Sequence, residues 1–277
     1  MSSRKEFYRS MRSKSRVLLV LLTIALLCTA CGGGGEPAPQ EDGAAQQVSG
    51  ESSPPETPPF DPVVPAAEAV DPQWFSDVAF VGDSVSVMLE NYSTNTGVLG
   101  TPAFFCSVSL SQTNALSYEA GNSHLPEYPK GSGQHPKVED GIAAAGAKKV
   151  YVMLGMNCIS GGIDRASQDL VKLVDRILEK SPDAAILVQS VTPMTADSPR
   201  ADEALNNTTI QAFNETMKEI CQEREWYYVN VAEAVADEQG YLRADYSGDR
   251  PMGIHFNYNG AEVWANYLLT HVPQALK

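Results

Sequence analysis

The chain has 277 residues, with 20 basic against 34 acidic side chains and a formal net charge of −14 at pH 7. This excess of carboxylates repels phosphate backbones and anionic surfaces, so it argues against nucleic acid as a partner and against electrostatic docking on acidic lipid. Cys106, Cys158 and Cys221 fall into no CxxC spacing, and the four histidines show no HExxH or paired spacing, so neither a metal nor a cofactor is expected.

Six of the 20 basic residues (Arg4, Lys5, Arg9, Arg12, Lys14 and Arg16) precede an apolar run from Val17 to Leu27 that only Thr23 interrupts. That is the pattern of an export signal over residues 1–30, too short to span a bilayer comfortably. Cys28-Thr29-Ala30-Cys31 follows and resembles a bacterial lipobox, although Cys28 stands where leucine is usual. The resemblance implies that Cys31 is diacylated and that the rest of the chain lies outside the cytoplasm, held to the membrane by that lipid. Residues 31–71 are rich in Gly, Pro, Glu, Gln and Ser and short of large aliphatic side chains. They bury too little to offset the entropy of ordering and are expected to form a disordered tether. Residues 72–277 suffice for a single domain.

Within that domain β-branched and aromatic runs at Asp77–Val81, Ala103–Val108, Lys149–Leu154, Ala185–Gln189 and Trp226–Val231 predict strands. Between and after them, helical spacing predicts helices over Lys137–Ala145, Ile163–Lys180, Asp202–Arg224 and Gly260–Leu269. Strands alternating with helices predict an α/β protein, a three-layer α/β/α sandwich around a parallel sheet. Ligands of such sheets bind beyond the C-terminal strand ends, so the residues following each strand carry the most information.

The first strand runs into Gly82-Asp83-Ser84, where a serine at a strand-to-helix turn can project its hydroxyl and its N–H into the crevice. The third ends in Gly155-Met156-Asn157-Cys158, which brings an amide donor to the same edge, and His255 occurs in Gly253-Ile254-His255-Phe256 ahead of the last helix. Each signal is weak alone, since a GDS can be a helix cap, an asparagine a turn residue, and a loop histidine simply solvated.

In order and setting, however, the three resemble the SGNH hydrolases, also called GDSL esterases, over essentially all of residues 72–277, down to Gly260 five residues after the histidine. The resemblance implies a flavodoxin-like fold and acyl transfer through a covalent acyl-enzyme. Ser84 would be the nucleophile and one oxyanion donor, Asn157 another, and His255 the base. Three departures stand out. The glycine whose N–H completes the family's oxyanion hole aligns with Ser109. The acid of the family's DxxH would fall on Met252, which cannot orient an imidazole, so Asp249 is the preferred acid, with Asp245 a weaker candidate and a Ser-His dyad the fallback. Cys158 replaces an acidic residue that often follows the asparagine.

The segment Ser117–His135, with Tyr118, His124, Tyr128 and Lys130, reads either as a substrate-contacting loop or as a solvated insertion. The expected activity is hydrolysis of a small acyl ester, such as an O-acetyl group on an acylated glycan outside the membrane. Lysophospholipase or thioesterase, O-acyltransferase and a non-catalytic glycan-binding module remain as alternatives.

Overall fold

The structure is a computed structural model that describes residues 60–200, 203–249 and 252–277. The expected export signal, the acylated Cys31 and most of the expected tether lie outside the described residues. Five strands form one parallel sheet: β1 (Val78–Gly82), β2 (Ala103–Cys106), β3 (Lys149–Met153), β4 (Ala185–Gln189) and β5 (Tyr227–Val229), in the order β2-β1-β3-β4-β5. Their apolar runs are continuous rather than alternating because both faces are covered. The helices are α1 (Ser84–Thr96), α2 (Gln112–Ser117), α3 (Val138–Ala145), α4 (Ile163–Lys180), α5 (Asn207–Arg224), α6 (Val231–Val235) and α7 (Tyr258–Thr270). α1, α6 and α7 pack as one group and α2 to α5 as another, which makes the three-layer α/β/α architecture expected from the sequence.

The order reverses direction between β1 and β3, and such a switch point opens a crevice at the C-terminal strand ends. The register pairs Gly82 with both Cys106 and Met153, so β1, β2 and β3 end level with one another. Residues 83–84, 107–110 and 154–157 therefore emerge together.

Three boundaries differ from expectation for local reasons. β2 stops at Cys106, not Val108, because the Leu110 N–H donates to the Ser107 carbonyl (3.1 Å) and closes a turn. β5 stops at Val229, and Val231, expected as its end, instead begins α6. The helix expected from Asp202 begins at Asn207, where Asn206 accepts from the Thr209 N–H and the Thr209 hydroxyl accepts from the Asn206 N–H.

The domain boundary expected at residue 72 also moves. β5 is an edge strand with unused backbone groups. Its Tyr228 N–H donates to the Pro62 carbonyl (2.6 Å) and its Tyr228 carbonyl accepts from the Val64 N–H (3.0 Å). Val64 is buried, and Ala67 and Val70 donate to the end of α7 at Thr270 and Leu269. Residues 62–70 thus belong to the domain, not to the tether.

Candidate active site

The site begins with Gly82, where α1 starts so close to β1 that a Cβ would lie 2.0 Å from Ser86 Oγ and 2.3 Å from Ser86 Cβ. Only a glycine lets the chain turn this tightly. Asp83, fully buried, caps α1 by accepting from the Val85 N–H (3.0 Å). Burial pushes its carboxyl up to about 6, against the opposing pull of the Val85 N–H and of His255. Ser84 is the first residue of α1, half-buried, with its hydroxyl 2.9 Å from His255 Nε2.

His255 is delivered by a closed loop. The Gly248 N–H donates to the His255 carbonyl (2.8 Å), and the Met252 and Gly253 N–H groups both donate to the Asp249 carbonyl (2.8 Å each). The Asp249 carboxylate sits inside this loop, with Oδ1 accepting from the Ile254 and His255 N–H groups (3.0 Å each) and Oδ2 lying 2.5 Å from His255 Nδ1. Burial alone would raise the Asp249 carboxyl, but the His255 ring and these two backbone donors outweigh it and hold the group below its usual range. An ionised carboxylate can only accept, so Nδ1 carries the proton, Nε2 accepts, and the Ser84 hydroxyl donates to it.

Of the two carboxylates considered for the acid, the structure brings Asp249 to the histidine, whereas Asp245 pairs with Arg243 at the surface (2.8 Å). Phe256 and Asn257 anchor the loop to α7. Gly260 is required below them, because a Cβ there would lie 2.4 Å from the Phe256 ring.

Further N–H groups emerge at the same strand ends as Ser84. The Ser107 N–H donates to the Gly82 carbonyl (3.2 Å), tying the turn after β2 to the end of β1. Ser109 sits in that turn at φ +64°, the left-handed region where glycine is favoured, which is the geometry behind the expected glycine at this position. Among the described residues, neither the Ser84 nor the Ser109 N–H donates to another backbone or side-chain group. Asn157 Nδ2 donates one hydrogen to the Leu110 carbonyl (2.9 Å), which aligns the amide with the turn and leaves its second N–H available. The neighbouring Cys158 thiol is pushed up to about 12 by burial, so it stays protonated and is no rival nucleophile.

Sequence reasoning overlooked the segment after β4 that supports the acid–base loop. There the Thr195 N–H donates to the Gly253 carbonyl (2.9 Å) and the Ser198 hydroxyl to the Met252 carbonyl (2.7 Å). Its signal was available, since Ser190-Val191-Thr192-Pro193 leaves a strand at its C-terminal end. The Ser117–His135 segment is held by its own contacts to β2 and α1. Tyr128 lies against Phe105, and Lys130 pairs with the buried Glu90 of α1 (2.7 Å). Among the described residues no cluster of His, Cys, Asp and Glu has a metal-binding arrangement, and no helix is long and apolar enough to cross a membrane.

A search of curated proteins returned no match. Solved structures are similar in fold. A candidate acylhydrolase from Bacteroides fragilis aligns with a TM-score of 0.56 at 14% identity over 72% of this chain and 88% of its own. A GDSL-like lipase from Bacteroides thetaiotaomicron aligns at 0.51 and 15%, over 73% and 88%. The family model described as GDSL-like Lipase/Acylhydrolase matches residues 80–263, spanning Ser84, Asn157, Asp249 and His255. The chain therefore belongs to the GDSL-like lipase/acylhydrolase family and is a carboxylic ester hydrolase.

Proposed function

We propose that the protein is a serine esterase that removes small acyl groups, foremost O-acetyl, from a glycan outside the cytoplasm, working from a lipid tether at Cys31. The observation that carries the catalytic part is the unbroken relay from Ser84 Oγ to His255 Nε2 (2.9 Å) and from His255 Nδ1 to Asp249 Oδ2 (2.5 Å).

In this reading Ser84 Oγ attacks the ester carbonyl as His255 Nε2 takes its proton, and Asp249 stabilises the imidazolium. The Ser84 and Ser109 N–H groups and the free N–H of Asn157 receive the oxyanion. As the tetrahedral intermediate collapses, His255 returns the proton to the departing alcohol. A water then repeats the sequence on the acyl-enzyme, the carboxylic acid leaves, and the Ser84 hydroxyl is restored. A degenerate binding module was suggested by Met252, but Asp249 supplies the carboxylate from three residues further upstream, which favours an enzyme. The tether reading is supported by the basic and apolar run before Cys31, and the glycan by the strong acidity of the chain.

The test is hydrolysis of p-nitrophenyl acetate, butyrate and octanoate by the full chain. Acetate should turn over fastest, and Ser84→Ala and His255→Ala should each cost at least about 10³-fold in kcat. Unchanged turnover in Ser84→Ala would sink the serine mechanism, and a preference for octanoate would move the substrate to long-chain lipids.

A further inference from the structure

A second concavity opens on the same edge of the sheet, beyond the ends of β4 and β5 and away from Ser84. It encloses about 640 Å³, between α5, α6 and the turn that follows α6. That is within the roughly 300–1,000 Å³ typical of ligand sites.

The walls of this groove are fixed in place. Asn214 accepts from the Val191 N–H and donates to the Val191 carbonyl (2.8 Å each), and Asn207 does the same with Met194 (2.6 and 2.8 Å). The turn is pinned as well, since the Leu242 N–H donates to the Met194 carbonyl (3.0 Å) and Asp237 accepts from the Tyr241 N–H (2.9 Å). This rigid turn presents Tyr241, 38% exposed, as an open aromatic face.

The groups that remain available are neutral. Among the described residues the side chains of Thr208, Gln211 and Gln239 make no hydrogen bond, and all three are exposed in the groove. The charges nearby are already engaged. Lys218 pairs with Glu215 (2.5 Å), and Glu233 accepts from Tyr267 and Asn230 (2.7 and 2.8 Å). Among the described residues lining the groove, no unpaired cation is left to attract a phosphate, sulfate or carboxylate. A ring to stack against the C–H face of a sugar, with amides and a hydroxyl for its hydroxyl groups, is a set suited to a neutral carbohydrate.

The groove also points toward the ester site. A smaller hollow of about 140 Å³ shares Asn207, Thr208 and Tyr241 with it and extends to Thr195 and Ser198, the residues beneath the loop that carries His255. β1 and β5 are three strand spacings apart, roughly 14 Å, so a ligand reaching from one end to the other exceeds a single sugar.

We propose that this groove binds a stretch of neutral glycan chain and holds the polymer whose acyl ester is presented to Ser84. The ester end of this assignment rests on the catalytic reading above, whereas the groove itself does not. The experiment is calorimetric titration of the full chain carrying Ser84→Ala, in detergent, with ester-free β-1,4-linked hexasaccharides of glucose, xylose and N-acetylglucosamine. At least one should bind, and Tyr241→Ala and Gln211→Ala in that background should each weaken binding at least tenfold. Both side chains are exposed, so folding should survive, and circular dichroism checks that it does. Failure of all three glycans to bind would overturn the proposal, as would binding that persists through both substitutions or tighter binding of an anionic hexasaccharide of galacturonate. Because these probes carry no ester and the nucleophile is absent, this result is independent of hydrolysis. Binding without nitrophenyl ester turnover in the parent would refute the catalytic reading alone, and turnover without binding would refute the groove alone.

Discussion

Asp83 offers the sharpest quantitative test. It is buried beside Ser84, and its carboxyl rises from 3.8 to about 6, chiefly through burial. Below pH 3.8 the folded and unfolded chains both hold this proton, and the residue carries no penalty. Between pH 3.8 and about 6 only the folded state keeps it, and above that range the folded state bears an ionised carboxylate at full desolvation cost. Stability is therefore lost as pH rises through this window, by about 3 kcal/mol for a shift of about two units. Asparagine keeps an oxygen to accept from the Val85 N–H and carries no charge. Asp83→Asn should gain about 2 to 3 kcal/mol on the parent between pH 4 and pH 8, slightly less than the full window because the unfolded carboxyl is already more than half ionised at pH 4. Urea unfolding followed by the fluorescence of the buried Trp264 at both pH values measures it. A parent-to-variant gap that is the same at both values, or that favours the parent at pH 8, would refute the argument. Because the carboxylate also interacts with His255, the stabilised variant should be slower, which assays of kcat at pH 8 would record.

Four further outcomes follow from the geometry. Asn157→Ala removes a donor that the proposed mechanism assigns to the oxyanion, and it should lower p-nitrophenyl acetate kcat by about 10²- to 10³-fold with little change in KM. Asp249→Asn disturbs the His255 tautomer and should cost about 10³- to 10⁴-fold in kcat at neutral pH, whereas Asp245→Asn, whose partner is Arg243, should leave kcat intact. Ser109→Gly relieves the left-handed backbone while keeping the N–H, so it should stabilise the fold by about 1 kcal/mol, a rise in Tm of roughly 3 °C, without loss of activity. Gly82→Ala should destabilise by about 3 kcal/mol or more in urea titrations, and Ser86→Ala should not rescue it, because the Ser86 Cβ itself blocks the new methyl group.

Much of this molecule is legible without coordinates, because the information is local. Continuous apolar runs located the five strands to within two residues at either end, and Leu170, Val174 and Ile177 at helical spacing gave α4 its observed limits, Ile163–Lys180. Once strands alternate with helices, the crevice must lie at the C-terminal strand ends, which drew attention to Ser84 and Asn157, and the resemblance in order and setting supplied their expected roles. Other features depend on groups distant in sequence. Whether Asp249, Asp245 or no acid meets His255 is decided by the bonds that Asp249 receives from Met252, Gly253, Ile254 and His255 and by support from Thr195 and Ser198, more than fifty residues earlier. The place of Val64 in the domain depends on an open edge of β5 that composition does not reveal. The burial of Asp83, the left-handed turn at Ser109 and the groove beside Tyr241 likewise arise only when separate elements pack together. The sequence determined the strands, the longer helices and the order of the reacting groups, because periodicity and motif are written along the chain. The tertiary structure alone decided which carboxylate serves the histidine and which surfaces stay open, because both depend on contacts between residues that the chain keeps far apart.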